Sequence, residues 1–119
     1  MNGMTLDTKD VNGGTVISMG GRVMFEGDAH VFRQKLEELL AAGKEWFVLD
    51  LSGVIAMSST GLGILIAAHR TVRDQGRSFK LAELSEKVRS ILIITRLDSV
   101  FEVYDNADEA AEAAKEGQS

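Results

Sequence analysis

The feature that most constrains the fold is a short, almost wholly apolar run, "WFVLDL" at Trp46–Leu51, between two segments with helical spacing. Such a run, rich in aromatic and β-favouring residues, suits a strand buried on both faces. Before it, apolar residues recur with helical spacing from Ala29 to Ala42, and Gly43 can end that helix. After it, the same spacing extends from Leu62 to Val72, and Gly76 can end a second helix. A buried strand between helices predicts parallel strands joined by crossover helices.

The remaining segments complete this alternation. "MTLDTKDV" and "TVISM" flank the turn signal "NGG" and predict a hairpin whose second strand ends at Gly20-Gly21. "SFKLA" and "SVFEVY" predict two further strands, and helices are expected after Ser85 and after Asp105 or Asn106, which can cap them. The predicted order is β-β-α-β-α-β-α-β-α. We therefore expect one α/β domain over residues 1–119, with a mixed β-sheet of about four or five strands and about four helices.

Composition argues against several functions. The formal net charge is −5, whereas binding to a nucleic-acid backbone needs clustered Lys and Arg. The longest apolar run is less than half of the roughly 18 residues that a membrane span requires, so no membrane insertion is expected. There is no cysteine, and neither His30 nor His69 has a second ligand at metal spacing, so no metal or cofactor is expected. His69 is expected to be packed and hydrogen-bonded, and the absence of a signal sequence predicts a cytoplasmic protein.

The predicted start of the second helix carries an unusual cluster of hydroxyl residues and glycines: Ser58, Ser59, Thr60, Gly61, Leu62 and Gly63. One hydroxyl at a helix start can accept a hydrogen bond from an unpaired backbone amide, which stabilises the helix by about 1 kcal/mol. Three hydroxyls exceed what capping uses, so another can face solvent. A phosphate on that residue would add a charge of about −1.5 to −2 where helix amides favour an anion.

The two glycines of the cluster leave two explanations open. Near a helix start, Gly61 and Gly63 each cost about 1 kcal/mol relative to alanine, which indicates close approach of another backbone or of a partner. The cluster is not a phosphate-binding nucleotide loop, because Gly-x-Gly-x-x-Gly is incomplete and no Gly-Lys-Ser/Thr follows. Asp50 is expected to bond to loop amides after the strand. No nucleophile elbow is present, so we expect no enzymatic activity.

The stretch "VLDLSGVIAMSSTGLGILI" resembles the signature of STAS domains, in particular the bacterial anti-sigma factor antagonists. That pattern is approximately Asp-Leu-Ser-x-Val-x-x-Met-Asp-Ser-Ser/Thr-Gly-Leu-Gly. The resemblance also includes a glycine after the second strand, Gly20 or Gly21, and "LDSVFEVYDNADEA" before the last helix. It therefore extends over nearly the whole chain.

The resemblance implies a regulatory protein-binding module with a switch. In this family a serine at the start of the second helix is phosphorylated by a partner, an anti-sigma factor that is also a serine kinase. The unphosphorylated antagonist binds that kinase, and phosphorylation releases it. Matched by position, the phosphoacceptor is Ser59, and the expected partner-binding residues are its neighbours in the motif: Ser58, Thr60, Gly61, Leu62 and Gly63.

The sequence departs from the family pattern in two places. Ser58 occupies the position of the aspartate before the phosphoacceptor, and "GGRVMFEGD" has Arg22 and Met24 where many antagonists carry an acidic residue close after the glycine. Ser58 motivates an alternative function, in which the domain is a non-switched accessory subunit of a transporter or signalling complex. A small enzyme or ligand-binding domain is a third hypothesis, and no catalytic motif in the sequence supports it.

Overall fold

The computed structural model describes residues 3–116 and confirms the predicted order of strands and helices. The elements are β1 (Met4–Val11), β2 (Gly14–Val23), α1 (Glu26–Ala41), β3 (Trp46–Met57), α2 (Ser59–Asp74), β4 (Ser78–Ala82), α3 (Glu86–Ile94), β5 (Val103–Tyr104) and α4 (Ala107–Glu116). A short 3₁₀ turn, Leu97–Ser99, lies between α3 and β5.

The strands form one five-stranded mixed sheet in the order β1-β2-β3-β4-β5. β1 and β2 are antiparallel, and their turn places both Asn12 (φ 39°) and Gly13 (φ 94°) in the left-handed region that tight hairpin turns require. The other neighbouring strands are parallel, with α1, α2 and α3 as their crossovers. The fold is therefore the mixed α/β sheet that the sequence predicts.

Helices cover both faces of the sheet, which explains why β3 is apolar along its length. Phe47 and Leu49 point into the larger core beneath α1, α2 and α3, and both are fully buried. Successive residues of a strand alternate between faces, so Trp46 and Val48 point towards α4. The smaller core beneath α4 consists of Trp46, Val48, Ala82, Ala110 and Ala114.

β2 and β3 are longer than the sequence predicted. They were expected to end at Gly20-Gly21 and at Leu51, but they continue as a parallel pair to Val23 and Met57, with bulges in the register. Glycines permit this continuation, because a Cβ on Gly53 would lie only 3.3 Å from the Cα of its partner Gly20. The pairing of Val23 with Met57 has one consequence for function: α1 and α2 begin side by side.

The predicted start of α1 and the predicted length of β5 were also wrong. α1 begins at Glu26 instead of Ala29, because the Asp28 carboxylate accepts hydrogen bonds from the Met24 and Phe25 amides, both at 3.1 Å. β5 has only two residues, because the chain before it forms the 3₁₀ turn and then buries Phe101 in the larger core.

Leu65 tests the packing of α2 on the sheet. Its side chain is fully buried, so Leu65→Ala is expected to lower the free energy of unfolding by about 2–5 kcal/mol. The control is Ile94→Ala, since Ile94 is 80% exposed and its truncation should change stability by less than about 0.5 kcal/mol. Urea unfolding measures both. Equal losses in the two variants would contradict this description of the core.

Candidate functional site

The ends of β2 and β3 tie the start of α2 to the chain that leads into α1. The Ser58 amide donates to the Val23 carbonyl oxygen at 3.2 Å. The Ser58 hydroxyl donates to the Met24 carbonyl oxygen at 3.1 Å. These bonds cross between residues distant in sequence, so they fix the position of the first turn of α2 relative to α1.

The three consecutive hydroxyl residues have three different environments. Ser58 is the N-cap of α2, and its oxygen also accepts a hydrogen bond from the Gly61 amide at 3.3 Å. Ser59, the first residue of α2, is exposed, and its hydroxyl bonds to nothing in residues 3–116. Thr60 is half-buried and lines a groove between α1 and α2. Of these three residues, Ser59 alone is exposed and has a hydroxyl with no hydrogen bond within residues 3–116.

The amides around Ser59 leave this end of the helix electropositive. The Leu62 amide donates to the Ser58 carbonyl oxygen at 2.9 Å, and the Gly61 amide is satisfied by the Ser58 side chain. The Ser59 and Thr60 amides have no carbonyl one helical turn earlier to which they could donate. The first turn of α2 contains no acidic residue. The positive end of the helix dipole is therefore not balanced by a carboxylate of that turn.

The two glycines of the motif differ in what surrounds them. A Cβ on Gly61 would collide with the Val23 carbonyl oxygen and crowd the Met57 side chain, so Gly61 is required for close packing of α2 on the sheet. A Cβ on Gly63 would meet nothing within 4 Å, and Gly63 is exposed. Gly61 serves the fold, whereas no contact within the described chain explains Gly63.

Two apolar features lie near the start of α2, an exposed aromatic side chain and a groove. Phe25, the N-cap residue of α1, is 66% exposed although it is a large aromatic side chain. The groove between the two helices encloses about 170 Å³, and its lining includes Phe32, Leu36 and Ile64. We call the exposed patch formed by Phe25, Ser59, Thr60 and Gly63, together with this groove, the α1–α2 surface. Its mouth carries one acidic and one basic side chain, Glu26 and Arg33.

Comparison with known proteins assigns the chain to a family. The profile of the STAS domain matches residues 5–110. The chain belongs to the STAS domain family. An anti-sigma factor antagonist assigned in Thermotoga maritima is 31% identical over 101 residues, which cover 84% of this chain and 89% of that protein. The anti-sigma-B factor antagonist of Bacillus subtilis is 36% identical over 75 residues, 63% of this chain and 68% of that protein.

A solved structure agrees with this STAS assignment. The crystal structure of an anti-sigma factor antagonist from Mycobacterium paratuberculosis superimposes with a TM-score of 0.81. The two chains are 27% identical, and the match covers 94% of each. The fold and the family therefore agree with the resemblance carried by the Gly-Leu-Gly motif.

Several sequence expectations can be compared with the geometry of this STAS domain. Gly61 and Leu62 are buried, so they support the first turn of α2 from within. The expected bond from Asp50 to a loop amide is wrong, because β3 continues past it: Asp50 Oδ1 accepts from the Ser52 amide at 2.9 Å, within the strand and beside the break in its register with β2. The sequence leaves open whether Met24 and Phe25 form an exposed contact pair or the edge of the core. In the structure Phe25 is exposed.

His69 is packed as expected, but the hydrogen bond that was expected for it is not found among the described residues. Its ring packs edge-on against Phe79 and Phe101, as a packed side chain should. The expected hydrogen bond is absent from the described part of the chain. Within residues 3–116, no group of three acidic, His or Cys side chains could hold a metal ion, and no helix is long and apolar enough to cross a membrane.

Alanine at the two glycines of the motif should have opposite effects on stability. Gly61→Ala is expected to lower the free energy of unfolding by about 1–3 kcal/mol, because the new methyl group collides with the Val23 carbonyl. Gly63→Ala should raise it by about 0.5–1 kcal/mol, because alanine favours the helix and the space is open. Urea unfolding of both variants gives the comparison. A change of the same sign in both would refute the assignment of Gly61 to packing.

Proposed function

We propose that this STAS domain is an anti-sigma factor antagonist that binds an anti-sigma factor with serine kinase activity through the α1–α2 surface. Phosphorylation of Ser59 releases the partner. The observation that carries the proposal is the exposed Ser59 hydroxyl at the first position of α2, on the same surface as the exposed Phe25 and the largely apolar groove. The protein is then a regulatory binding module and performs no chemistry itself.

The hydrogen bonds favour Ser59 over its two neighbours as the residue that is phosphorylated. The Ser58 hydroxyl both donates to Met24 and accepts from Gly61, so phosphorylation there would break the cap and displace α2. Thr60 faces the groove and is half-buried, which limits access by a kinase active site. Ser59 can enter an active site with no internal hydrogen bond broken.

A phosphate on Ser59 would leave the domain folded and change its surface. The phosphate would lie at the positive end of α2, where the unpaired amides of Ser59 and Thr60 favour an anion. The α1–α2 surface would gain a charge of about −1.5 to −2. A partner packed against this surface would then bury an unpaired charge. A loss of about 3 kcal/mol weakens binding by more than about 100-fold, which is sufficient for a switch.

Ser58 in place of the family aspartate fits this mechanism. A serine can donate to the Met24 carbonyl and accept from the Gly61 amide at once, whereas an ionised carboxylate has no proton to donate. The cap therefore holds α2 against the chain leading into α1 without adding charge. With no carboxylate in the first turn, the phosphate supplies the whole change of charge at this end of the helix.

The apolar part of the α1–α2 surface defines the chemistry of the partner. Phe25 is 66% exposed and directly follows Met24, whose carbonyl oxygen accepts from Ser58 at the start of α2; exposed aromatic residues are frequent anchors of protein interfaces. The groove between the helices can accept an apolar side chain of the partner, because Gly63 leaves its mouth open. We expect the partner to present apolar residues to Phe25 and to the groove, with its catalytic cleft over Ser59.

Phosphorylation can be mapped with matched variants. The anti-sigma kinase encoded in the same genome, supplied with ATP, should add one phosphate to the wild-type chain and to Thr60→Val. It should add none to Ser59→Ala, since that variant lacks the only hydroxyl of the motif that is both exposed and free. Mass spectrometry of the intact chain and of its peptides is the measurement. Labelling of Ser59→Ala at the wild-type level would refute the assignment of Ser59 as the phosphorylated residue.

The apolar contact can be tested separately by binding to the same kinase without ATP. Phe25→Ala should weaken binding by about tenfold or more, because it removes an exposed aromatic anchor. Its free energy of unfolding should hardly change. Ile94→Ala is the control, because it truncates an exposed apolar side chain on α3, outside the α1–α2 surface. Isothermal titration calorimetry that ranks Ile94→Ala below Phe25→Ala in affinity would place the contact elsewhere.

A further inference from the structure

A second cleft lies near the opposite end of α2 from Ser59. It encloses about 600 Å³ between the last turns of α2, the start of β4, the segment before β5 and α4. Its charged, titratable and exposed apolar lining residues are His69, Arg73, Arg77, Lys80, Val100 and Glu102. We propose that this cleft binds a small phosphate-bearing molecule, with Arg73 as the principal contact to the phosphate. The proposal is independent of the switch at Ser59.

The charges in the cleft oppose those of the whole protein. Three cationic side chains, Arg73, Arg77 and Lys80, face one carboxylate, Glu102, which leaves a local excess of two positive charges. The whole chain has a formal net charge of −5. A concave site that concentrates one sign of charge raises the local concentration of ligands of the opposite sign. The ligand of this cleft is therefore an anion.

Two of the cations are already engaged, and their contacts shape the site. Arg77 donates from Nη1 to the carbonyl oxygens of Leu40 (3.0 Å) and Lys44 (2.9 Å), which fixes its guanidinium in place. Lys80 donates from Nζ to Glu102 Oε1 at 2.7 Å. Arg73 makes no ion pair and no side-chain hydrogen bond within the described residues. Its planar group of donors is thus available for the bidentate contact that phosphate accepts.

His69 adds an oriented ring to the wall of the cleft. Its ring lies edge-on to Phe101 (5.2 Å between centroids) and to Phe79 (6.1 Å). Burial, followed by the charges of Arg73 and Lys80, lowers the pKa of His69, and only Glu102 opposes them. The lowered pKa favours the neutral ring, which can donate one hydrogen bond. From α4 the cleft is lined by Ala113, which carries no charge.

The volume indicates a molecule larger than a free ion. Sites for small molecules commonly enclose about 300–1,000 Å³, and this cleft lies within that range. Val100, which is 45% exposed, supplies an apolar rim next to the cationic end. A phosphate monoester places its phosphate on Arg73 and leaves its organic part for this rim.

The test is a proton NMR titration of the His69 ring in the full chain at constant ionic strength. Inorganic phosphate and glycerol phosphate should each give a saturable shift, with tighter binding of the ester. Bound phosphate should raise the pKa of His69, because it offsets the positive charges of Arg73 and Lys80 that lower it. Acetate at the same ionic strength should give a weaker effect. A response to phosphate no larger than the response to chloride or acetate would overturn the proposal.

Three variants assign the contact. Arg73→Gln should weaken phosphate binding by about tenfold or more and by itself raise the pKa of His69. Arg70→Gln removes the same charge from an exposed position of α2 that does not line the cleft, and should leave binding unchanged. Glu102→Gln should strengthen binding, because it removes the competing carboxylate. Equal phosphate affinity in Arg73→Gln and Arg70→Gln, or weaker binding in Glu102→Gln, would show that the cleft is not the site.

Discussion

The close approach of the first turn of α2 to the end of β2 determines the geometry of the candidate switch. At Gly61 the absence of a side chain lets the helix pack against the Val23 carbonyl. The same approach brings the Ser58 hydroxyl within 3.1 Å of the Met24 carbonyl and leaves Ser59 on the outer side of the turn. One missing methyl group thus decides which hydroxyl is internal and which is exposed.

This arrangement allows regulation by charge instead of by a change of shape. Ser58 caps α2 and Ser59 is exposed, so a modification of Ser59 would leave intact the hydrogen bonds that hold α2 in place. The helix end is already suited to an anion, because the first turn carries no carboxylate. In the proposed switch, the energetic effect of a phosphate would fall on the interface with the partner, where the added charge would be buried, and not on the stability of the domain.

Sequence reasoning succeeded where the signals are local. The limits of β1 (Met4–Val11) and β4 (Ser78–Ala82) follow from turn residues and side-chain pattern, and the cap Ser85 follows from residue type. The sequence predicted a cap among the three hydroxyls before α2 and at Asp105 or Asn106 before α4, and the structure assigns these caps to Ser58 and Asn106. It failed where distant residues decide. The extension of β3 depends on pairing with β2 across glycines, and β5 is short because Phe101 is drawn into the core.

The candidate site shows the same division. The motif alone singled out the hydroxyl cluster. It could not show that Gly61 is needed for packing whereas Gly63 has open space, because that depends on which way each Cα–H bond points in the folded chain. The second cleft had no sequence signal, because its charged residues come from α2, the turn after it, β4 and the segment before β5.

The two ends of α2 can act independently. Ser59 and Arg73 are fourteen positions apart in one helix, which corresponds to about 21 Å along its axis. This distance is about twice the Debye length of about 8–10 Å near physiological salt, so a phosphate on Ser59 and an anion in the cleft would hardly interact directly. Coupling between them would need a movement of α2 as a body, which the bonds of Ser58 to Val23 and Met24 resist. An anion bound near Arg73 should therefore leave the phosphorylation of Ser59 unaffected.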